Sequence, residues 1–292
     1  MPAYLTHAIM ADEFLKREKQ LLKVEIDDKA LRTYSLGTDL AIFTKTSIFG
    51  THNTKTKAFF LNMIRYIKTH KKVDDPQAIA LLYGHVCHYF LDTTMHPFCY
   101  YLEVGTKKTS IISNHTLIEG FWSSYFSDYF LKTTIDPTFF NQADLTKIID
   151  ILNGTYQITY KEKNILESAK RVIKTFTLLE KMKKMLNLEL LKQISGFNSF
   201  LAKNDYSKEI LLNSNSDVWF NPTSCLVSEL SCLQLFDLSI VKTSEAIEEI
   251  NKYLYNNASL NNVKKVFTNL SYDTGVNTKY GLKFVYTKKY IL

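Results

Sequence analysis

Apolar residues recur at helical intervals along most of the chain. Near the N-terminus, charged residues separate Leu5, Ile9, Phe14 and Leu21, and this spacing is typical of one face of an amphipathic α-helix. The pattern predicts a first helix over residues 5–22. It also predicts helices over residues 56–70, 224–255 and 259–270, a helix whose N-cap is Asn114, a long basic helix over residues 161–191 and an extended segment over residues 280–292.

The longest apolar stretch, residues 81–98, predicts a buried central helix. Asp75 and Pro76 precede it and are well suited to the first turn of a helix. Pro97 disfavours the α conformation at the residue before it, so we expect the helix to end at His96.

Three ionisable residues of this helix, His88, Asp92 and His96, are spaced four apart. That interval returns to nearly the same face, and a rise of about 1.5 Å per residue puts the two histidines roughly 12 Å apart along the axis. One zinc ion, with ligand bonds of about 2 Å, is too small to hold both. The spacing therefore predicts a row of metals, with Asp92 able to bridge two. The alternative is a buried helix whose histidines are held by hydrogen bonds within the core.

The composition allows one large domain or two of ordinary size in 292 residues. Hydrophobic residues make up 46% of the chain, and only 9 Gly and 5 Pro occur, which favours long helices over a β-sandwich or a linker-rich protein. The net charge of +7 comes from scattered lysines, which promote solubility. It also suits an anionic partner such as a phospholipid surface or a polynucleotide.

The cysteines form no CxxC pair and no dense framework. We expect them to be small buried apolar residues, with soft zinc ligation as the alternative; they are Cys87, Cys99, Cys225 and Cys232. This usage favours a reducing, intracellular setting. The N-terminal residues show no secretory signal pattern, and no apolar run reaches the roughly 20 residues of a membrane span. We therefore expect a cytoplasmic protein that is soluble or at most peripheral to a membrane.

Residues that bind metals are concentrated in the first part of the chain. Six of the seven histidines precede residue 97 and the seventh is His115, which shares a helical face with Glu119. Asp39 follows a turn at Gly37, and His52 lies in another turn-like stretch. This mixture of imidazole nitrogen and carboxylate oxygen suits zinc best among the divalent ions.

Two other histidines have less to recommend them as ligands. His85 lies three residues before His88, so it could donate to a ligand from behind, although a place in the core or on the surface is the simpler interpretation. His70, among lysines, is expected to be a solvated surface residue.

The order of these residues resembles that of the zinc-dependent phospholipase C family. The resemblance rests on His7 in an N-terminal helix, the sequence Gly-Thr-Asp-Leu around Asp39, a histidine in a loop, an H-x3-D-x3-H-P motif and an H-x3-E motif. This family includes secreted bacterial lecithinases and the catalytic domain of glycosylphosphatidylinositol-specific phospholipase D. The single-strand-specific zinc nucleases share its fold and its trinuclear site. The resemblance covers about residues 1–135.

The resemblance implies an all-α, multi-helix domain of the phospholipase C and zinc-nuclease type with a mostly helical C-terminal extension. Residues 1–135 would form the zinc-binding catalytic core, and residues 136–292 a helical remainder packed on it as one globular unit. By matched position, two to three zinc ions would be held, one by Asp39, His52, His88 and Asp92, a second by His96, His115 and Glu119, and a third by His7 and the bridging Asp92.

The third site departs from the family pattern. Secreted members complete it with their own N-terminal amino group, whereas this chain begins Met-Pro-Ala-Tyr without the matching tryptophan. We therefore expect the third metal to be weakly held or differently ligated. A second departure is the short interval between Asp92 and His96, which is closer to the glycosylphosphatidylinositol-specific group than to the lecithinases.

The chemistry expected of such a centre is hydrolysis of a phosphodiester by metal-activated water, with Asp39 as general base. The first hypothesis is a bacterial-like phospholipase C that cleaves a phospholipid on the diacylglycerol side of the phosphate, with peripheral membrane contact. A nuclease or nucleotide phosphodiesterase of the same fold is the second, although no basic stripe interleaved with exposed aromatic residues predicts specific nucleic-acid binding. The third is a non-catalytic zinc-binding protein.

Overall fold

The protein is all-α, as the sequence predicts. The computed structural model describes residues 4–41, 55–104, 106–107, 113–131 and 197–280, with isolated positions between 150 and 174. Within these residues the helices are α1 Tyr4–Arg17, α2 Asp28–Tyr34, α3 Thr56–Thr69, α4 Pro76–Glu103, α5 Asn114–Phe126, α6 Phe197–Asn204, α7 Lys208–Leu212, α8 Cys232–Tyr255 and α9 Leu260–Val266. Strands β1 (Trp219–Phe220) and β2 (Val227–Ser228) form a small antiparallel hairpin.

Helix α4 is the centre of the fold. It packs against α1, α2, α5 and α8, and all its residues from Ala78 to Cys99 are buried. Pro76 occupies its first turn, and the Asp75 side chain caps it by accepting hydrogen bonds from the backbone amides of Gln77 and Ala78. The predicted start of the central helix is therefore confirmed.

The predicted end of this helix at His96 is wrong, because α4 continues past Pro97 to Glu103. Pro97 has no amide hydrogen for the Thr93 carbonyl, so it removes one helical hydrogen bond. The gap at this point is packed by a turn from the end of the chain. A Cβ atom at Gly275 would lie 2.4 Å from the Thr93 carbonyl oxygen and 2.9 Å from Cγ of Pro97. Tertiary packing thus outweighs the local preference of the proline.

Other helix boundaries also differ from the predicted ones, most of all in the region 224–255. Helix α1 ends at Arg17 and a separate 3₁₀ turn follows over Lys19–Leu21, while α5 is capped by Ser113 rather than by Asn114. That region includes β2 (Val227–Ser228), and α8 starts only at Cys232. Ser231 and Gln234 form a capping box there, which explains the later start.

The remaining predicted elements have mixed outcomes. Helix α3 confirms the prediction for residues 56–70, whereas the helix predicted over residues 259–270 is confined to Leu260–Val266. Most of the predicted basic helix over residues 161–191, and residues 281–292 of the predicted extended segment, lie outside the described residues.

One hydrophobic core joins the early and late parts of the described chain. The ring of Phe60 stacks on that of Phe267 at 4.4 Å between centroids, and the ring of Phe126 lies 4.7 Å from that of Phe236. A division at residue 135 stays a prediction. None of the described helices has the length and apolarity needed to cross a membrane.

The cysteines are mostly as expected. Cys87, Cys99 and Cys232 are buried and unbridged, whereas Cys225 is exposed, contrary to the prediction that all four are buried. Cys225 lies in the loop between the two strands, with a positive φ of 63°, where its side chain is directed away from the core.

Candidate metal centre

The first group of candidate ligands joins α1 to α4. His7 comes from α1, His88 and Asp92 come from α4, and one ligand atom from each lies within 4.8 Å of the others. Nε2 of His88 lies 3.1 Å from Oδ2 of Asp92, and Nε2 of His7 lies 3.3 Å from Oδ1 of the same carboxylate. The two imidazole rings stack at 4.2 Å between centroids. We call these three residues the first group.

The second group joins α4 to α5. His96 from α4 and His115 and Glu119 from α5 also bring three ligand atoms within 4.8 Å of one another. Oε1 of Glu119 lies 3.0 Å from Nε2 of His96 and 3.1 Å from Nε2 of His115. The predicted four-residue spacing on α5 therefore does place both side chains on the face directed at α4.

Asp92 stands between the two groups. Its Oδ2 faces His88, while its Oδ1 faces His7 and lies 3.9 Å from Nε2 of His96. The cavity at this point is lined by residues of both groups, by Thr6 and by three apolar side chains; the lining residues are Thr6, His7, Leu91, Asp92, Met95, His96, Glu119 and Trp122. The two groups are thus parts of one centre with a shared carboxylate.

The two candidate histidines of α4 are oriented by hydrogen bonds from Nδ1, the ring nitrogen that faces away from the carboxylates. Nδ1 of His88 lies 3.1 Å from the Ser35 carbonyl oxygen, and Nδ1 of His96 lies 2.8 Å from the Tyr272 carbonyl oxygen. A carbonyl can only accept a hydrogen bond, so each of these nitrogens must carry the proton. In both residues Nε2 is therefore the nitrogen directed at the carboxylates and offered to a metal.

His115 is oriented by a carboxylate instead of a carbonyl. Its Nδ1 lies 3.2 Å from Oε2 of Glu103 and 3.5 Å from the Sγ atom of Cys99. Such a carboxylate–histidine pair raises the basicity of a metal ligand and fixes its ring. Glu103 is a functional candidate that the sequence analysis did not assign to the site, and Cys99 is one that it considered only as an alternative zinc ligand.

Local sequence explains why His88 fits beneath the turn that follows α2. This 3₁₀ turn, Gly37–Ala41, begins at a glycine with a φ of +54°. A Cβ atom at Gly37 would lie 2.6 Å from Cγ of His88, so only glycine lets the turn lie this close to the ring. The same turn carries Asp39 into the interior, where the residue is buried.

The carboxylates shared by the histidines are strongly acidic. Burial by itself would raise the pKa of Asp92, but His88, His96 and His7 outweigh it and hold this pKa well below its usual range. Burial would likewise raise the pKa of Glu119, and His115 with His96 lowers it instead. Both carboxylates are therefore ionised and ready to bind a cation at neutral pH.

Asp39 has a different electrostatic environment. Burial raises its pKa to about 7, against the opposing effect of His88 and with further help from the charges of Asp92 and Glu119. The charges of the first group therefore affect Asp39, although Asp39 belongs to neither three-residue group. A carboxyl with a pKa near 7 can both accept and release a proton at neutral pH.

The donor set fits zinc. Imidazole nitrogens and carboxylate oxygens are the ligands that zinc prefers when thiolates are absent, and the two groups supply four histidines and two carboxylates. Nδ1 of His7 is buried with no hydrogen-bond partner among the described residues, which is unusual for a polar atom unless a ligand completes it. The site is thus chemically suited to more than one zinc ion.

The predicted ligands have three different outcomes. Six of them are brought together in the two groups, namely His7, His88, Asp92, His96, His115 and Glu119. Asp39 is buried nearby, and His52 lies outside the described residues. His85 is buried and its Nδ1 bonds to the Leu81 carbonyl oxygen at 2.9 Å, so it belongs to the core. His70 is exposed, as expected.

Comparison with known proteins agrees with this geometry. A family model described as zinc dependent phospholipase C matches residues 3–183, which is more than half of the chain and includes both ligand groups. No curated protein and no solved structure matches the chain.

Proposed function

Because the chain belongs to the zinc-dependent phospholipase C family, we propose that it is a zinc-dependent phosphodiesterase that hydrolyses a phospholipid on the diacylglycerol side of the phosphate. The observation that carries this proposal is the pair of ligand groups joined by the Asp92 carboxylate. Both groups lie within the matched residues, and their acids and imidazoles are those that a multinuclear zinc centre requires.

The proposed ligand sets follow from the two oxygens of Asp92. Oδ2 and His88 would hold one zinc ion together with Asp39 and His52, and Oδ1 and His7 would contribute to another. The second group, which has its own carboxylate, would hold the remaining ion. The expected content is two to three zinc ions per chain.

When bound, zinc would supply a hydroxide at neutral pH and neutralise the charge that develops on the phosphoryl oxygens. The residues of the chain would orient the zinc ligands and accept a proton from the attacking water. Asp39 would take the proton of the attacking water on a carboxylate oxygen that does not bind zinc. Ser35, Tyr272 and Glu103 would keep the three ligand rings turned so that Nε2 faces the reaction centre.

A phospholipid substrate is favoured by the family match, and the net charge of +7 suits contact with an anionic membrane surface. We would test it by elemental analysis of the purified chain, followed by incubation of zinc-loaded protein with phosphatidylcholine vesicles. The expected products are phosphocholine and diacylglycerol in equal amounts. Vesicles with other head groups and single-stranded DNA and RNA complete the panel.

Substitution of two different histidines, one inside the centre and one outside it, tests the assignment of the site. His88→Ala should remove zinc and activity, whereas His70→Ala, at an exposed position outside the centre, should change neither. Degradation of single-stranded nucleic acid without phospholipid cleavage would establish the nuclease alternative. Bound zinc with no activity on the panel would leave a zinc-binding protein, and a wild-type chain that takes up no zinc would contradict the whole proposal.

A further inference from the structure

A tight turn near the end of the described chain contacts the metal centre, although it lies beyond the residues that the family model matches. Leu270 and Asn277 form an antiparallel bridge at its base. Inside the bridge, the amide of Ser271 donates to the carbonyl of Val276 at 2.8 Å, and the amide of Gly275 donates to the carbonyl of Ser271 at 2.9 Å. We call residues 270–277 the C-terminal turn. Its main chain is held by its own hydrogen bonds.

Tyr272 of this turn spans the row of ligands on α4. Its carbonyl oxygen accepts from Nδ1 of His96 at 2.8 Å, while its ring lies 5.6 Å from the ring of His88 and 5.1 Å from that of Tyr89. His88 and His96 are two helical turns apart, so a single residue contacts both ends of the row. The side chain of Tyr272 is 1% exposed, which makes this contact part of the interior.

Two further contacts set the position of the Tyr272 carbonyl. Gly275, with a φ of +62°, lies so close to α4 that any larger residue would meet the Thr93 carbonyl and the Pro97 ring. In addition, Nδ2 of the buried Asn221 donates to the Thr274 carbonyl at 2.8 Å. The turn is therefore held both by its close packing on α4 around Pro97 and by the residue that follows β1.

We propose that the C-terminal turn is a positioning element for the second zinc position. The Tyr272 carbonyl holds the proton of His96 on Nδ1 and leaves Nε2, 3.0 Å from Glu119, for the metal. Gly275 and Asn221 act through the turn by keeping that carbonyl in place. This inference rests on the proposed assignment of His96, His115 and Glu119 as zinc ligands. It extends the functional part of the chain beyond residue 183.

The test uses two substitutions that displace the turn by different means: Gly275→Ala crowds its packing on α4, and Asn221→Ala removes its hydrogen bond to the Thr274 carbonyl. The matched control is Gly120→Ala on α5, because a Cβ atom there would meet nothing within 4 Å. Full-length protein with ¹⁵N-labelled histidine would be titrated with zinc alone and followed by NMR, in which metal-bound and protonated ring nitrogens have distinct shifts. The chain has only seven histidines, so each signal can be assigned by substitution.

We expect both displaced-turn variants to bind zinc about 10- to 100-fold more weakly at the second group, the range found when a partner behind a metal ligand is lost. The His96 signals should lose the pattern of a proton on Nδ1 and metal on Nε2. His7 and His88 should bind zinc as in the wild type, and Gly120→Ala should match the wild type throughout.

Equal weakening at both groups would overturn the inference, because it would indicate general loss of structure. So would wild-type affinity and an unchanged His96 pattern in a folded variant. If Gly275→Ala fails to fold, Asn221→Ala decides the matter. A wild-type chain that binds no zinc would contradict the proposed function instead. In that case the neutral form of His96, observed above about pH 9 in the zinc-free protein, decides the role of Tyr272 by itself: a proton on Nδ1 supports the inference and a proton on Nε2 overturns it.

Discussion

The two ligand groups share one helix but are held in place by different means. In the first group His7, His88 and Asp92 are each at most 3% exposed. Nδ1 of His88 donates to the carbonyl of Ser35, a residue within the part of the chain that the family model matches. In the second group the His115 side chain is 14% exposed, and its Nδ1 contacts the carboxylate of Glu103, which is 31% exposed. The first group is thus positioned by close packing in the interior. The second depends more on the partly exposed Glu103 carboxylate and on the Tyr272 carbonyl, which is distant in sequence.

One histidine of each group, His7 in the first and His96 in the second, also differs from the other in its protonation before metal binds. Burial lowers the pKa of His7 to about 3, and the neighbouring His88 adds to this effect. Burial would lower the pKa of His96 as well, but Asp92 and Glu119 outweigh it and raise this pKa to about 9. A neutral ligand from α1 and a charged ligand from α4 therefore face the same carboxylate oxygen, Oδ1 of Asp92.

The largest effect is expected from Asp92→Asn, because this residue is the one that both groups share. The change should remove zinc from the first group and weaken it at the second. Phosphodiester hydrolysis should fall by about 10³-fold or more, since several kcal/mol of charge stabilisation depend on the metals and each ~1.4 kcal/mol is tenfold.

Zinc content and vesicle hydrolysis would be measured beside Asp237→Asn, an exposed aspartate of α8 paired with Arg17, which should behave as wild type. Loss of zinc from the first group alone would show that the two groups are independent sites, and the shared carboxylate would then have no role at the second.

A smaller and selective effect is expected from Glu103→Gln. The amide keeps the shape but removes the charge behind His115, so zinc should bind the second group about 10- to 100-fold more weakly, with the first group unchanged. Zinc titration followed by the histidine NMR signals would separate the groups. Glu248→Gln, at an exposed ion pair with Lys252 on α8, is the control. Equal affinity in Glu103→Gln and the control would remove the distinction drawn between the groups.

The smallest effect needs no substitution and concerns the zinc-free protein. His7 should stay neutral as the pH falls to about 3, so it contributes stability that is present above pH ~6.5 and lost between there and pH 3. His96 should stay charged up to about pH 9, so its contribution is present below pH ~6.5 and lost as the pH rises through 9. An NMR pH titration of the ring signals would measure both pKa values. Similar midpoints for His7 and His96 would contradict the predicted difference in their protonation.

Much of the centre follows from spacing alone. Four-residue intervals at His88, Asp92 and His96, and again at His115 and Glu119, place side chains on one helical face, and the structure brings these faces together. The scarcity of glycine and proline likewise favours long helices, and the family resemblance implies the all-α class that the structure shows. Such features depend on local periodicity, which a sequence states directly.

Other parts of the centre could not be found in this way. The carbonyls of Ser35 and Tyr272 orient two ligands, yet a main-chain oxygen leaves no trace in residue identity. Glu103 was missed for a definite reason: it lies seven residues after His96, on the same helical face, but a helix that ended at Pro97 would not present it there. The packing of Gly275 against Pro97, which a sequence pattern cannot express, decided this point.

The continuity of α4 has a consequence for how this chain can change over evolution. His88, Asp92, His96 and Glu103 are all carried by one unbroken helix, so the distances between them are fixed by helical pitch and not by loops. Deleting or inserting a single residue between His88 and Glu103 would rotate everything beyond it by about 100° and turn the later ligands away from the earlier ones. Gain or loss of length is therefore excluded from this segment, and variation that keeps the centre must come from substitution or from the connecting segments around it.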